Sequence, residues 1–401
     1  MPPFRSQESI AAPKVTVREK FGVIITMSSI TDRLAHFSSS RHAVLLDDAG
    51  NGRAVVIAPV EEISETLVNE LITISGGLTF VALSPDRAAA FLLSSMARSQ
   101  GDSNGRGHHP LSLYTSVEAR SGVTTGISAS DRATTLRILG ERVPQPRSLV
   151  RPGHIFPVEA KAGGVLVRAA IPEASLDIIK LGGFTDAALF MDLLDRTGEL
   201  LDTRGAKTLA DTQNLPLFSI SELIQYRLSR EPLISRVAEA IIPTKQAGEL
   251  RAIVYRSALH EVEHIAYVKG EISSEQPVLV RVQSENTLPD VFGGEHPASR
   301  KHLHNSLRAI GERGNGIVLY LRKPLIIDSD SLTSEQPVVP PPTDQMREYG
   351  IGAQILRDLG VGQIELLSST NRALMGLSSF GISVTRQLAI PDYQITVEKN
   401  S

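Results

Sequence analysis

The sequence predicts two α+β domains in tandem, and three observations support this fold class. The chain has 401 residues, which is enough for two domains with ordinary cores. Short apolar runs rich in β-branched residues alternate with stretches of helical periodicity, as in mixed three-layer domains. A break at Glu231-Pro232 indicates a boundary. We therefore expect a flexible extension at 1–25, a first domain at 26–231 and a second domain at 232–401.

The first domain reads as alternating strands and helices. Helical periodicity is present near residues 28–37, 63–74 and 220–229. Strands are predicted at the short apolar runs, which are residues 43–46, 54–57, 79–83, 165–169 and 187–193. Residues 100–109 are rich in Gly, Ser, Asn and His, which predicts a flexible loop. Within it, His108 and His109 suit a lid and a solvated loop equally well.

The second domain repeats the mixed pattern. Strands are predicted at residues 250–255, 265–268, 278–283 and 364–367, with a helix at 349–359. Residues 329–343 contain four prolines and several Ser and Thr, which predicts an extended or disordered insertion.

Composition excludes several classes of protein. A hydrophobic fraction of 41% with 21% charged residues is typical of a soluble globular chain. A net charge of -3 argues against nucleic-acid and membrane-surface partners. No apolar run approaches the roughly 20 residues of a membrane span, so we expect a cytoplasmic protein. The chain has no cysteine, which excludes disulfides, thiolate nucleophiles and thiolate metal sites.

Residues 122–135 combine small residues and hydroxyl groups around Asp131 and Arg132. The backbone N–H groups and hydroxyls of such a loop suit a bound phosphate. The candidate ligand-binding residues of this hydroxyl block are Thr124, Thr125, Ser128 and Asp131. The same residue types also cap helices, so a purely structural role stays open.

A second motif places His154 three residues after Arg151 in a Pro-Gly turn. Imidazole can ligate a metal or move protons near neutral pH, which makes His154 the strongest catalytic candidate. Arg151 suits a bidentate phosphate contact, and a surface ion pair is the alternative. Glu173 and Arg137 are further candidates, against the alternatives of a surface carboxylate and a helix-face arginine.

Together, the two motifs closely resemble those of 3,4-dihydroxy-2-butanone 4-phosphate synthase. That lyase of the riboflavin pathway converts ribulose 5-phosphate to a four-carbon phosphate and formate. The resemblance implies that His154 and Glu173 are catalytic and that Arg151 and the hydroxyl block bind a phosphorylated pentulose. It places Arg137 at a further important position. It also implies a homodimer with active sites near the dimer interface.

The loop after Asp47 and Asp48 departs from this family. In the family an acidic loop follows, and one of its Glu residues helps to hold a catalytic Mg²⁺. Here residues 49–59 contain no carboxylate. Mg²⁺ needs oxygen ligands, so we expect binding at His154 to be possible but weakened.

Residues from 237 to about 391 are similar to GTP cyclohydrolase II. The similar runs are residues 237–240, 264–270, 281–285, 290–293 and 349–361. The resemblance implies a zinc ion held by three Cys, but those positions are Asn286, Pro297 and Ser299. None supplies a thiolate, and the nearby Glu295 and His296 are interpreted as part of a solvated loop, so we expect no zinc.

The nucleotide-binding blocks of that family are also changed. Residues 323–325 replace a Glu-Gly-Arg block, Gln345 replaces a catalytic Asp, and residues 368–373 lack the lysine of a Thr-Asn-Asn-Pro-x-Lys block. Arg347 remains. We therefore expect a structural or dimerising second domain without GTP cyclohydrolase activity.

Two hypotheses for function follow. The first is an enzyme, either a residual butanone phosphate synthase or a lyase or isomerase that stops partway along the enediol pathway, with Glu173 and His154 as base and acid. The second is a non-catalytic paralogue that pairs with an active riboflavin enzyme or senses a pathway ligand. We favour the first, because the phosphate-binding motif is retained. The effect of Mg²⁺ on ligand binding or turnover distinguishes them.

Overall fold

The computed structural model describes residues 29–48, 50, 52–61, 63–96, 112–259, 262–292, 299–323, 342–369 and 377–393. The predicted extension at 1–25 and the predicted loop at 100–109 lie outside these residues, and so does the insertion at 329–343 apart from its last two residues.

The first domain is built on one mixed sheet with helices on both faces. Its strands are β1 (Ala43–Leu46), β2 (Ala54–Pro59), β3 (Phe80–Leu83), β4 (Val117–Ala119), β5 (Leu149–Glu159), β6 (Ala187–Asp192) and β7 (Leu217–Ser219), in the order β4-β5-β3-β6-β2-β1-β7. Side chains alternate across the sheet, so Ala43 and Leu45 join one apolar cluster and Val44 and Leu46 the other. The sheet is therefore the middle of three layers, which confirms the predicted architecture.

All but one of the described helices of this domain follow a Ser or Asp whose side chain caps the first turn, and the exception follows Ala170 and has Pro172 in its first turn. The helices are α1 (Ile30–Ser40), α2 (Glu65–Ser75), α3 (Pro85–Ala90), α4 (Ala129–Gly140), α5 (Ile171–Leu181), α6 (Thr203–Thr212) and α7 (Ile220–Arg230). Ser29 forms a capping box with Asp32, which explains why α1 starts where it does. The helices predicted at 28–37, 63–74 and 220–229 are confirmed.

The predicted strand at 165–169 is wrong. Gly164–Leu166 forms a 3-10 turn, and its apolar side chains are buried in the core. Gly163 and Gly164 both have positive φ values, 90° and 63°, which an extended strand cannot accommodate. The apolar run therefore reports burial, and the two glycines decide the local structure.

The second domain has its own seven-stranded sheet in the described part of the chain. Its strands are β8 (Ile234–Thr244), β9 (Gly248–Ser257), β10 (Glu263–Lys269), β11 (Val278–Ser284), β12 (Gly316–Leu321), β13 (Gln363–Ser368) and β14 (Ser383–Ala389), in the order β14-β13-β11-β12-β10-β9-β8. The helices are α8 (Thr287–Phe292), α9 (Ser299–Arg313) and α10 (Pro342–Asp358). The four predicted strands are confirmed, and the helix predicted at 349–359 begins earlier, at Pro342.

Helices α7 and α10 join the two domains. A Cβ atom on Gly350 would lie 2.7 Å from Leu228, so the glycine permits the close approach of the two helices. Gln354 of α10 donates hydrogen bonds to the carbonyls of Leu228 and Glu231, at 2.7 and 2.8 Å, and accepts one of 2.8 Å from the N–H of Leu233. One apolar cluster runs through both domains. The domains therefore share a core as well as a linker.

None of the helices in the described residues is long and apolar enough to cross a lipid bilayer.

Candidate active site

The register of the first sheet brings His154 and Asp192 to the same end of three adjacent strands, β5, β3 and β6. Phe80 of β3 pairs with Phe190 of β6 and with Phe156 of β5. Asp192 lies two residues beyond Phe190, and His154 lies two residues before Phe156. Because β6 is antiparallel and β5 parallel to β3, both residues lie on the same side of this row. Two strand spacings put their backbones roughly 10 Å apart.

His154 lies against a buried carboxylate. Its Nδ1 is 2.8 Å from Oε2 of Glu118, and its backbone N–H donates to the same oxygen at 3.2 Å. Glu118 is 7% exposed, and its Oε1 accepts a hydrogen bond of 2.8 Å from the hydroxyl of Thr135. A carboxylate only accepts, so the proton of the neutral ring is on Nδ1. Nε2 of the half-exposed ring is then left as a proton acceptor or metal ligand.

The hydroxyl block sits directly on this pair. A Cβ atom on Gly126 would lie 1.9 Å from Oε2 of Glu118 and 2.6 Å from Nδ1 of His154, so only glycine fits here. The φ value of Gly126, 83°, requires the same residue. The structure therefore brings the block and His154 into one site, as the two motifs predicted.

Asp131 organises the block from inside. Its carboxylate accepts hydrogen bonds from the N–H and hydroxyl of Thr124, at 3.1 and 2.8 Å, and from the N–H of Gly126 at 2.9 Å. These bonds, above all the one from the Thr124 hydroxyl, hold the pKa of Asp131 below its usual value. Ser128 caps α4 by accepting from the N–H of Asp131. Thr124, Ser128 and Asp131 thus shape the loop, and Thr125, which is exposed as Thr124 and Ser128 are, takes no part in these hydrogen bonds.

The two candidate arginines lie apart from this loop. Arg151 donates to the carbonyls of Phe91 and Leu92, at 2.8 and 3.2 Å, where α3 ends. Arg137 is exposed in the last turn of α4 and donates to the hydroxyl of Thr134 at 3.3 Å. Neither contacts His154 or Asp131. A phosphate contact from Arg151 stays a prediction, and Arg137 has the position of a helix-face arginine.

The carboxylates near the loop that follows Asp48 already lie against other groups of the protein. Asp192 forms a two-point ion pair with Arg53, in which Nη2 and Oδ2 are 2.7 Å apart. Asp48 accepts from the N–H of Ser221, at the start of α7, at 3.0 Å. The carboxylate of Asp47 lies over Gly50, where a Cβ atom would be 2.6 Å from Oδ2.

This donor set does not fit Mg²⁺. The cation needs several oxygen ligands, and the oxygens near His154 belong to Glu118, which already accepts from His154 and Thr135. No group of three or more His, Asp or Glu residues among the described residues is arranged to hold a metal ion.

Glu173, on α5, lies near the end of β5 that is opposite His154. It is fully buried, and its Oε1 accepts from the N–H of Lys161 at 2.6 Å and from Nε of Arg168 at 2.8 Å. Lys161 follows the end of β5, and His154 to Glu159 alone span about 16 Å along the strand. The alternative of a surface carboxylate is therefore wrong. Within one chain the structure separates Glu173 from His154.

Burial controls the proton of Glu173. Desolvation raises the pKa of this carboxyl, although Arg168 acts in the opposite direction. Oε2 is buried, and it has no hydrogen-bond partner in the described part of the chain.

Two of the three positions that carry the cysteines in the GTP cyclohydrolase II resemblance are described. The hydroxyl of Ser299 accepts from Nε2 of Gln283 at 2.7 Å and donates to Asp290. Asp290 also accepts from the N–H of Asn286 at 2.9 Å and from the hydroxyl of Tyr320 at 2.8 Å. A closed hydrogen-bond network thus connects these positions. Pro297, Glu295 and His296 lie outside the described residues, and so do the side chain of Gln345 and residues 324–325 and 370–373.

Sequence reasoning missed Glu118, Arg168 and the Arg53–Asp192 pair. A signal for Glu118 was present, because it is the acidic residue of the short strand β4 directly before the hydroxyl block. The partners of Arg168 and Arg53 depend on strand register and on a turn, which no local pattern specifies.

Comparisons with known proteins agree with the geometry. A model of the 3,4-dihydroxy-2-butanone 4-phosphate synthase family matches residues 31–226, and a model of the GTP cyclohydrolase II family matches residues 235–389. The chain is 32% identical over 372 residues to riboflavin biosynthesis protein RibBA of Chlorobium phaeovibrioides, across 86% of this chain and 89% of that protein. It is 38% identical over 286 residues to monofunctional riboflavin biosynthesis protein RIBA 2, chloroplastic, of Arabidopsis thaliana, across 69% of this chain and 59% of that protein.

A solved structure shares the whole arrangement. RibBX, a two-domain 3,4-dihydroxy-2-butanone 4-phosphate synthase from A. baumannii, superposes with a TM-score of 0.72 at 27% identity, across 90% of this chain and 100% of that chain. The fold and site thus define a two-domain protein of the riboflavin-biosynthesis class. The chain belongs to the family that joins a 3,4-dihydroxy-2-butanone 4-phosphate synthase domain to a GTP cyclohydrolase II domain.

Proposed function

We propose that the first domain binds ribulose 5-phosphate or a related phosphosugar and catalyses its enolisation, as a lyase or isomerase with altered chemistry. The observation that carries the proposal is the His154–Glu118 pair, whose Nδ1 to Oε2 distance is 2.8 Å. It provides an oriented imidazole with one available nitrogen beside the hydroxyl block. The similarity to a two-domain protein described as a synthase supports a single active site per chain.

Nε2 of His154 is the base in this proposal. It takes the proton from the carbon next to the carbonyl of the sugar, and the C–H electron pair becomes the double bond of the enediol. Glu118 accepts a hydrogen bond from Nδ1–H throughout, without taking the proton, and stabilises the imidazolium that forms, as the carboxylate of a catalytic triad does. A positioned base of this kind contributes about 10² to 10⁴ in rate.

Glu173 supplies the acid. In this proposal it donates a proton to the carbonyl oxygen as the enediol forms, and burial favours that role by raising the pKa of its carboxyl. This exchanges the roles that the sequence suggested for the two residues. Because Glu173 lies near the end of β5 opposite His154, the two meet only if a second copy of the chain contributes Glu173 and its buried carboxyl becomes accessible there. The proposal therefore requires the homodimer that the family resemblance implies.

The later steps of the synthase reaction are expected to fail. Loss of formate requires a skeletal rearrangement, and the family relies on Mg²⁺ held by a Glu that residues 49–59 lack. Asp192, at the same end of the strands as His154, is paired with Arg53 instead. Enolisation needs only an acid and a base, so it can still occur where the rearrangement does not. A residual synthase is therefore the less favoured enzymatic alternative.

The second domain has no part in the chemistry under this proposal. Asn286 and Ser299 belong to a hydrogen-bond network that supplies no thiolate. We propose that it acts structurally, through the α7–α10 junction, and has no GTP cyclohydrolase activity.

Deuterium incorporation into ribulose 5-phosphate in D₂O, followed by NMR, tests the assignment of His154. His154→Asn retains a donor toward Glu118 but removes the ring nitrogen that accepts the proton. We expect the variant to lose exchange by about 10² or more. Glu141→Gln, at an exposed position after α4, is the control and should exchange as the wild type does. Equal exchange in His154→Asn and wild type would refute the assignment.

A non-catalytic paralogue is the second candidate, and one observation favours it. The carboxylate of Asp131 already accepts from Thr124 and Gly126, the groups expected to surround a phosphate. The absence of deuterium exchange in the wild-type protein would support this alternative, whether or not the protein binds ribulose 5-phosphate.

A further inference from the structure

We propose that Arg347 of the second domain fixes the turn that holds the Arg168–Glu173 contact of the first domain, and so positions Glu173. The role of Glu173 in this inference rests on the proposed function. The contact itself does not. Arg347 remains from a GTP-processing block whose catalytic Asp is replaced by Gln345.

The contact crosses the domain boundary. Arg347 lies on α10 and donates from Nη2 to the carbonyl of Val165 at 2.8 Å. Val165 is fully buried in the 3-10 turn Gly164–Leu166. A charged donor to a carbonyl is stronger than a neutral one, so this is the stronger kind of contact between the domains.

The other side of the same residue is held by the first domain. The N–H of Val165 donates to Oδ2 of Asp177 at 2.9 Å, and Asp177 is paired with Arg227 at 2.6 Å. Arg227 also donates to the carbonyl of Gly163 at 2.9 Å. Val165 is therefore fixed at its N–H by the first domain and at its carbonyl by the second.

Residues of this turn also hold Arg168, which contacts Glu173. The N–H of Arg168 donates to the carbonyl of Gly164 at 3.0 Å, and the guanidinium of Arg168 contacts Oε1 of Glu173 at 2.7 to 2.8 Å. At the start of the turn, the N–H of Lys161 donates to the same oxygen at 2.6 Å. Glu173 is thus enclosed by a turn whose centre is held by Arg347.

Three variants separate positioning from general stability. Arg347→Met removes the donor and keeps most of the side-chain length. Arg347→Lys keeps one charged donor toward the carbonyl. Gln354→Ala is the matched control, because Gln354 joins α10 to α7 and Leu233 and not to Val165.

Amide hydrogen exchange of the full-length protein without substrate is the first measurement. We expect Arg347→Met to speed exchange of the amides at 161–168 about tenfold, with a return toward wild type in Arg347→Lys. Gln354→Ala should affect Leu233 and leave 161–168 unchanged. Unchanged exchange at 161–168 in Arg347→Met, or an equal increase at all amides, would overturn the proposal.

Turnover is the second measurement. In the deuterium incorporation assay, Arg347→Met should lower kcat about tenfold with little change in KM, because Glu173 is misplaced while the hydroxyl block is intact. Full kcat in a variant with a loosened turn would overturn the positioning role. No exchange in the wild type would contradict the proposed function alone, and the hydrogen-exchange result would still decide the contact.

Discussion

Glu118 accepts a hydrogen bond from the ring of His154 at 2.8 Å, and the same carboxylate is buried against Thr135 and Gly126. His154, which lies within β5 and not in the Pro-Gly turn expected from the sequence, is thereby held in one orientation and one tautomer. This relationship gives the site an oriented proton acceptor without any contribution from the loop that lost its acidic residues.

Glu118→Gln should therefore weaken catalysis without removing His154. The amide cannot stabilise the imidazolium as a carboxylate does, so we expect deuterium incorporation to fall about 10-fold to 100-fold, as for other residues that orient a functional histidine. Glu141→Gln, at an exposed position after α4, is the control. Wild-type rates in Glu118→Gln would show that the pair is only structural.

Mixing two inactive variants tests where Glu173 acts. His154→Asn and Glu173→Gln should each be nearly inactive alone. Each site of a two-fold symmetric dimer would combine His154 of one copy with Glu173 of the other. In a mixed dimer, one of the two sites then keeps both native residues. Half of the dimers in an equal mixture are mixed, so activity should recover to about a quarter of wild type. No recovery, with mixed dimers demonstrated by mass spectrometry, would place both residues in the same chain's site.

The stability of the hydroxyl block should depend on pH through Asp131. Hydrogen bonds from Thr124 and Gly126 lower its pKa in the folded state, while the unfolded value is about 3.9. The stabilisation is therefore present above about pH 4 and is lost as the pH falls through the folded-state pKa. Urea unfolding at pH 7 should find Asp131→Asn less stable than wild type, with the difference narrowing below about pH 4. Exposed Asp211→Asn is the control, and a difference that does not change with pH would contradict this account.

Ser299→Ala should destabilise the second domain by about 1 to 3 kcal/mol, because Gln283 and Asp290 lose a buried partner. Denaturant unfolding measures the loss, with exposed Ser130→Ala as the control. Elemental analysis of the wild type should find no zinc, and GTP should yield no formate. Stoichiometric zinc with formate release would contradict the structural role of this domain.

The sequence predicted most strands and helices, because their apolar periodicity and capping residues are local. The turn at Gly164–Leu166 was missed because a buried apolar run looks the same in a strand and in a turn. The two motifs, through the family they resemble, also predicted that His154 and the hydroxyl block lie together, and both lie against Gly126. It could not show that Asp131 fills the block or that Glu118 orients His154, since these contacts form between segments. The separation of His154 and Glu173 follows from the direction of β5, which sequence spacing does not reveal.

The most direct test of the central claim compares two products of one incubation. Wild-type protein is mixed with ribulose 5-phosphate in D₂O, with and without Mg²⁺, while deuterium incorporation is followed by NMR and formate by a coupled assay. The account predicts deuterium incorporation that outpaces formate release by about 10² or more and changes little with Mg²⁺, because a positioned base is retained and the metal-holding loop is not. Formate released with Mg²⁺ as fast as deuterium is incorporated would contradict it and would show a working synthase.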